Sequence, residues 1–122
     1  MPFLEVYDFD ENPNCRKAAT ERMTAALSEA YGIAPDIISI YFISIPTNNY
    51  GHCGQLPASI ANQRIFVKVN AFRRDDNMRR NAAKLLSNSV EEAYGVPGSS
   101  VAVYFFDRDP GQVSHAGLLA SG

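Results

Sequence analysis

The sequence lacks the features of several large protein classes. Cys15 and Cys53 are its only two cysteines, and they do not form a C-x-x-C pair. Neither a disulfide framework nor a zinc site is therefore predicted, and we expect no metal ion and no cofactor. The formal net charge of −2 provides no broad cationic field for phosphate backbones, which argues against nucleic acid as a partner.

Long apolar runs are also absent. No stretch approaches the roughly 20 apolar residues of a membrane span. The first residues, MPFLEVYDFDENPN, include acids where a secretory signal would be basic and then apolar. We therefore expect a cytoplasmic protein that does not enter a membrane. For a chain of 122 residues, the expectation is one domain spanning residues 1–122, a size that oligomerisation often helps to stabilise.

What the sequence does contain is an internal repeat. A shift of 63 residues aligns its halves, about 1–59 and about 64–122, without a gap, and places AYG at 30–32 on AYG at 93–95. The identities exceed those expected by chance for ordinary composition and indicate a tandem duplication. The same shift pairs Phe3 with Phe66, Val6 with Val69, Phe9 with Phe72, Tyr41-Phe42 with Tyr104-Phe105, and His52 and Gly54 with His115 and Gly117.

Each half has the pattern of a β-α-β unit. The first strands read FLEVYDF and IFVKVNAF, and the second strands read IISIYFISI and SVAVYFF. The first helix is predicted to begin at Pro13, after the capping residue Asn12, and to end at Gly32. The second is predicted to run from Asp75-Asp76 to Gly95, again a glycine suited to a left-handed C-cap.

Strands joined through a helix should be parallel. The predicted fold is therefore α/β, with two tandem β-α-β repeats forming a four-stranded mixed sheet and two helices on one face. In the second strand, Ile38, Ile40 and Phe42 point to one face, while Tyr41 and Ile43 point to the other. Because the helices cover only one apolar face, we expect a closed oligomer to cover the other.

The chain resembles the fused members of the tautomerase superfamily, because a Met-Pro start runs directly into the first of two β-α-β units. The first half is similar to a single 4-oxalocrotonate tautomerase subunit, with Ala34-Pro35 before an apolar strand and then Tyr50-Gly51. The run VYFFD at 103–107, followed by Val113 and Gly117, is similar in spacing to cis-3-chloroacrylic acid dehalogenase and macrophage migration inhibitory factor. The resemblance implies a homotrimer.

The resemblance also implies that Pro2 is catalytic. In the family, the initiator methionine is removed and the exposed secondary amine acts as general base or acid. Desolvation lowers the pKa of an amino group from its usual value of about 8, so the amine could exchange protons near neutral pH. If Met1 is retained, the Pro2 nitrogen is an amide without basicity.

Arg73 and Arg74 stand where the family commonly places arginines that bind a substrate carboxylate. Forked guanidinium donors beside a helix N-terminus make a strong anion site. The implied partner is therefore a small carboxylate substrate. The alternative is a solvated turn in which Asp75 and Asp76 neutralise the two arginines.

Further candidates follow from the resemblance, two of them with a structural alternative. Ser39 occupies a position where 4-oxalocrotonate tautomerase carries an arginine, which implies a different substrate. Tyr50 falls on an aromatic residue of the tautomerase pocket, although it could also pack against a neighbouring subunit. Tyr31 lies near a substrate-binding histidine of the dehalogenase, with packing at the helix end as the alternative. Asp36 lies near an acid that activates water in malonate semialdehyde decarboxylase.

Tyr104 and His115 are eleven residues apart, as are a tyrosine and a water-activating glutamate in the dehalogenase. Histidine can also act as a base near neutral pH. Because His52 repeats it, His115 could instead make a structural hydrogen bond after the second strand of each repeat.

The predicted function is a keto-enol tautomerase that acts on a small 2-oxo or unsaturated carboxylate through Pro2. The alternatives are a hydratase-type dehalogenase or decarboxylase of C3 acids, or a non-catalytic trimer like the inhibitory factor if Met1 is retained.

Overall fold

The two repeats fold into the predicted units in the computed structural model of the chain, which describes residues 1–9, 13–56 and 63–122. The first repeat contains β1 (Phe3–Asp8), α1 (Pro13–Tyr31) and β2 (Ser39–Ser44). The second contains β3 (Ile65–Phe72), α2 (Asp76–Tyr94) and β4 (Val101–Arg108). Two short strands follow, β5 (Ser114–His115) and β6 (Leu118–Leu119).

The four long strands form one mixed sheet in the order β2-β1-β3-β4. Each repeat pairs its own two strands in parallel, as a helical crossover requires. The repeats meet through β1 and β3, which run antiparallel with Val6 opposite Val67. The predicted mixed sheet is confirmed, and its antiparallel centre relates the two repeats by an approximate twofold axis.

The core lies between the sheet and the two helices. Alternate residues of the central strands, among them Leu4, Val6 and Val67, are fully buried because a strand presents every second side chain to the same face. They pack against helix residues such as Met23 and Leu86. The helices also contact each other along the same face of the sheet, as predicted.

Helix α2 has well-defined ends. The Asp75 side chain accepts a hydrogen bond from the backbone N–H of Met78 at 2.8 Å, as an N-cap residue does. Gly95 has φ +67° and donates its N–H to the Glu91 carbonyl at 2.8 Å, a geometry that glycine adopts without a Cβ clash. These ends agree with the prediction. Asn12, predicted to cap α1, lies outside the described residues.

The sheet face opposite the helices is aromatic and open. Tyr41 and Tyr104 are 58% and 55% exposed, respectively, and Phe3 is 36% exposed. Phe3 meets Tyr41 edge-on with ring centroids 5.8 Å apart, and the ring centroids of Phe66 and Tyr104 are 4.6 Å apart. We call this surface, with Tyr7, the open aromatic face. Within the described ranges, no helix is both long and apolar enough to cross a bilayer.

Candidate active site around Pro2

Pro2 lies directly before β1 and is buried. Its carbonyl accepts a hydrogen bond from the Ser39 N–H at 3.4 Å, which ties it to β2. Because β1 and β3 are antiparallel, the beginning of β1 lies beside the end of β3. A cavity of about 30 Å³ opens there, lined by Met1, Pro2, Ala71, Phe72, Arg74 and Val113.

Arg74 brings a cation to this cavity. Its Nη1 donates to the Phe72 carbonyl at 2.8 Å, and its guanidinium carbon lies 4.6 Å from the centroid of the Tyr31 ring, within the range of a cation–π contact. Among the described residues, the Arg74 side chain makes no ion pair. Helix α2 begins two residues later, so its dipole adds to the attraction for an anion.

Arg73 is placed differently from its neighbour. Its side chain is 65% exposed, and its Nε lies 3.4 Å from Asp109 Oδ1. An exposed pair of this kind contributes little free energy. The structure therefore brings Arg74 to the Pro2 cavity and leaves Arg73 on the surface, where its partner is Asp109.

Tyr31 lies at the end of α1, under the Arg74 guanidinium, and is only 4% exposed. Burial raises its pKa from 10.0 to about 12, and the negative charge of Asp107 acts in the same direction. The Arg74 and Arg79 charges oppose this shift. The hydroxyl has no hydrogen-bond partner among the described residues, so Tyr31 contributes a neutral ring and a buried hydroxyl near the site.

Asp107 and Arg79, neither of which was predicted from the sequence, also lie in this region. Arg79 Nη1 donates to Asp107 Oδ2 at 2.7 Å, and the Asp107 side chain is 11% exposed. Asp107 stands opposite Ala71 in the β3–β4 register, on the face toward the helices. The shift of 63 residues that revealed the repeat places Arg16 on Arg79, which was the available signal for this arginine.

Two of the other candidates lie near the same end of the sheet as Pro2. Ser39 is exposed, and its backbone N–H binds the Pro2 carbonyl. Asp36 is exposed on the short 3₁₀ turn Pro35–Ile37 that precedes β2.

The remaining three candidates are not brought to Pro2 within the chain. Tyr50 lies near the far end of β1, where the centroid of its ring is 5.2 Å from that of Phe9. Its hydroxyl accepts a hydrogen bond from the Arg64 N–H at 3.1 Å. Tyr104 belongs to the open aromatic face. His115 is exposed in the final hairpin, opposite Leu118.

His52 and His115 occupy equivalent hairpins, which bears on the structural alternative for His115. His52 bridges to Gln55, as His115 pairs with Leu118. The turn within each hairpin has the same left-handed backbone conformation, with φ +55° at Cys53 in the first and +52° at Ala116 in the second. No group of three or more His, Cys, Asp and Glu side chains in the described ranges is arranged to hold a metal ion.

No protein-family model and no curated protein sequence matches the chain, but solved structures do. The wild-type F6 fused 4-OT, an asymmetric trimer, has a TM-score of 0.90 at 20% identity, covering 98% of this chain and 96% of that one. A protein inactivated by 2-oxo-3-pentynoate has a TM-score of 0.86 at 20% identity, with coverage of 98% and 96%.

A member of the cis-3-chloroacrylic acid dehalogenase family has a TM-score of 0.80 at 13% identity, covering 96% of this chain and 82% of that one. At these identities the likeness establishes the fold. The tautomerase-type fold that the sequence resemblance implied is therefore confirmed.

Proposed function

We propose that this chain, which has the fold of the fused 4-OT proteins, is a tautomerase-superfamily enzyme that moves a proton on a small 2-oxo or unsaturated carboxylate. One observation carries the proposal: Pro2 is buried, and Arg74 lines the same cavity. A proton-transfer group and an anion-binding group thus share one small space. The inactivation of a structurally similar protein by 2-oxo-3-pentynoate, itself a 2-oxo carboxylate, supports this substrate class.

The proposed mechanism uses the chain's own groups and begins with removal of Met1, which converts the Pro2 nitrogen from an amide into a secondary amine. Arg74 binds the substrate carboxylate and holds the adjacent carbon atoms against this amine. The amine removes a proton from one position of the substrate and returns it to another. Apolar walls at Ala71, Phe72 and Val113 exclude water and disfavour the protonated amine.

The proposal includes a homotrimer. The open aromatic face leaves large rings partly in water on one side of the sheet, beside the charged side chains of Glu5 and Lys68, and large exposed apolar side chains grouped on one surface often mark a protein–protein interface. A structurally similar fused 4-OT is described as a trimer. Subunit association would also bring Tyr104 and the hairpin of His115 against another copy, where they could complete a neighbouring pocket.

The experiment that tests the proposal measures enol-keto conversion of phenylenolpyruvate. Intact mass is determined first, and loss of one methionine is expected because the mechanism requires a free amine. The substitution Pro2→Ala should reduce kcat/KM by at least about 10², the lower end of what a positioned acid–base group contributes. Full activity of that variant in a chain lacking Met1 would contradict the proposal.

Arg73 and Arg74 provide a matched pair of variants for the same assay. Arg74→Ala should raise KM by roughly tenfold or more, because a hydrogen bond to a charged group is worth about 1.5–3 kcal/mol. Arg73→Ala removes an exposed pair with Asp109 and should leave KM within about twofold. An equal rise of KM in both variants would show that the two arginines are not separated in function.

A second candidate function is water addition, in a hydratase-type dehalogenase or a decarboxylase of C3 acids. The observation that favours it is the fold shared with a member of the cis-3-chloroacrylic acid dehalogenase family. Release of halide from 3-haloacrylates, or of carbon dioxide from malonate semialdehyde, would select this reaction. An intact Met1 in the native protein would instead favour a non-catalytic trimer.

A further inference from the structure

Arg79 is the hub of a hydrogen-bond cluster at the beginning of α2. Its Nη1 donates to Asp107 Oδ2 at 2.7 Å and to the backbone carbonyl of Arg74, while its Nη2 donates to the Asp76 side chain. One guanidinium thus connects three parts of the chain: β4, α2, and the turn between β3 and α2. That turn carries Arg74.

Arg74 is consequently held at both ends. Its carbonyl accepts from Arg79, and its own guanidinium is held between the Phe72 carbonyl and the Tyr31 ring. Loss of the Arg79 bond would release the carbonyl end. A binding residue must be held within a fraction of an ångström to orient a ligand, so the cluster can influence how Arg74 presents its charge to the Pro2 cavity.

The first repeat provides an internal comparison. Arg16, the repeat mate of Arg79, donates to both oxygens of Asp8 at 2.8 and 3.2 Å, and Asp8 is fully buried. Tyr94 donates to the same carboxylate at 2.5 Å. The sequence has Glu11 where the second repeat has Arg74, so the first repeat has an arginine–aspartate pair without an arginine in the position of Arg74.

The aspartate that pairs with the helix arginine lies on a different strand in each repeat. Asp8 lies on the first strand of its repeat, at the position that Ala71 occupies in the second. Ala71 lines the Pro2 cavity, so a carboxylate at that position would fill the cavity and compete for Arg74. In the second repeat, Asp107 lies on the next strand, in register with Ala71. From there it pairs with the helix arginine, and the cavity is left to Pro2 and Arg74.

We propose that Arg79 and Asp107 are positioning residues, which fix the turn of Arg74 so that its guanidinium meets the substrate carboxylate beside Pro2. This inference rests on the proposed function. Neither residue lines the cavity, and their effect is transmitted through the Arg74 main chain.

The test compares Arg79→Lys with Arg16→Lys, its repeat mate. Lysine keeps the charge but cannot make the forked set of bonds, so both variants lose geometry and retain a cation beside the carboxylate. Arg79→Lys should raise KM for the 2-oxo acid by roughly tenfold with kcat changed less than about threefold, since small misplacements can cost up to about 10². Asp107→Asn should change KM in the same direction. Arg16→Lys should lower the melting temperature without changing KM.

A second measurement does not depend on turnover. The ring signals of ¹³C-labelled Tyr31, assigned with Tyr31→Phe, report the stacked Arg74 guanidinium and should move in Arg79→Lys but not in Arg16→Lys. An unchanged KM with unmoved ring signals in Arg79→Lys would overturn the inference, as would an equal rise of KM in Arg16→Lys. If the wild type has no Pro2-dependent activity, the proposed function fails and the Tyr31 signals alone decide the positioning.

Discussion

The tyrosines at the ends of the two helices, Tyr31 and Tyr94, occupy corresponding positions in the repeats but differ in their surroundings. Tyr94 donates to Asp8 at 2.5 Å, and its pKa is raised by burial first and by that hydrogen bond second. Tyr94 is partly buried and Tyr31 is buried, but the Tyr31 hydroxyl has no partner among the described residues. Tyr31 packs at the end of its helix, as the repeat suggested, and it also lies under Arg74. Its role in substrate binding stays a prediction.

These surroundings predict the ionisation of the tyrosines in alkaline solution. Tyr31 and Tyr94 should ionise well above the usual tyrosine pKa of about 10, with Tyr31 doing so near its raised pKa of about 12. Because the pKa of each tyrosine is higher in the folded state than in the unfolded state, its neutral phenol contributes to the free energy of unfolding. This contribution is complete below a pH of about 10 and is lost as the pH rises toward the folded-state pKa. The free energy of unfolding should therefore decrease over that range.

Phenolate absorbance during a pH titration checks the prediction. Tyr31→Phe and Tyr94→Phe should each remove one late-ionising group. Unchanged phenolate absorbance at the highest pH before unfolding sets in is expected for both variants, and loss of an already ionised phenolate at a pH of about 10 in either variant would contradict the prediction.

At the scale of elements, the N-terminus of α2 is the segment on which the site depends. It carries Arg74 at its entrance, Asp75 as its cap and Arg79 one turn inside. The α2 boundaries were predictable because aspartate before a helix and glycine after it satisfy the free N–H and C=O groups locally. The orientation of Arg74 was not predictable, since it depends on Tyr31 from the other repeat.

The cap gives a prediction for this element. Asp75→Ala removes the acceptor of the Met78 N–H and should lower the free energy of unfolding by about 0.5–2 kcal/mol. Asp75→Asn keeps a side-chain acceptor and should recover most of that loss. Urea denaturation followed by circular dichroism measures both variants, and equal stability of Asp75→Ala and the wild type would show that the cap does not stabilise α2.

At the scale of the whole molecule, the open aromatic face is the surface through which we propose that copies of the chain associate. Tyr41 and Tyr104 occupy corresponding positions in the two repeats, and both project from the face that the helices do not cover. The approximate symmetry of the chain therefore gives the face two similar aromatic halves. Burying rings of this size is worth on the order of 2 kcal/mol each, which favours association through this surface.

Tyr104→Glu should weaken the assembly, because a charge would have to be desolvated in an apolar interface. Sedimentation equilibrium of the wild type is expected to show a trimer, and the variant should shift toward monomer. Glu21→Lys, a charge change at an exposed helix position, is the control and should leave the assembly intact. A monomeric wild type would refute the proposed trimer.

The sequence by itself determined the fold. A 63-residue repeat with strand, helix and strand patterns leaves few arrangements, because short-range periodicity sets which faces are apolar and a helical crossover makes the strands parallel. Pro2 and the arginine pair could be chosen from the sequence because the resemblance to the tautomerase superfamily implies a role for residues at these positions.

Only the tertiary structure separated Arg74 from Arg73 and brought Arg79 and Asp107 into the same cluster. Adjacent residues in a turn point in different directions, and the direction of each depends on partners from distant segments: Tyr31 for Arg74 and Asp109 for Arg73. Tyr50, an equally plausible pocket residue by sequence, lies instead near Phe9, beyond the far end of β1. Such contacts join residues that are far apart in the chain. The local pattern of apolar and polar residues does not reveal which of these residues are close together in space.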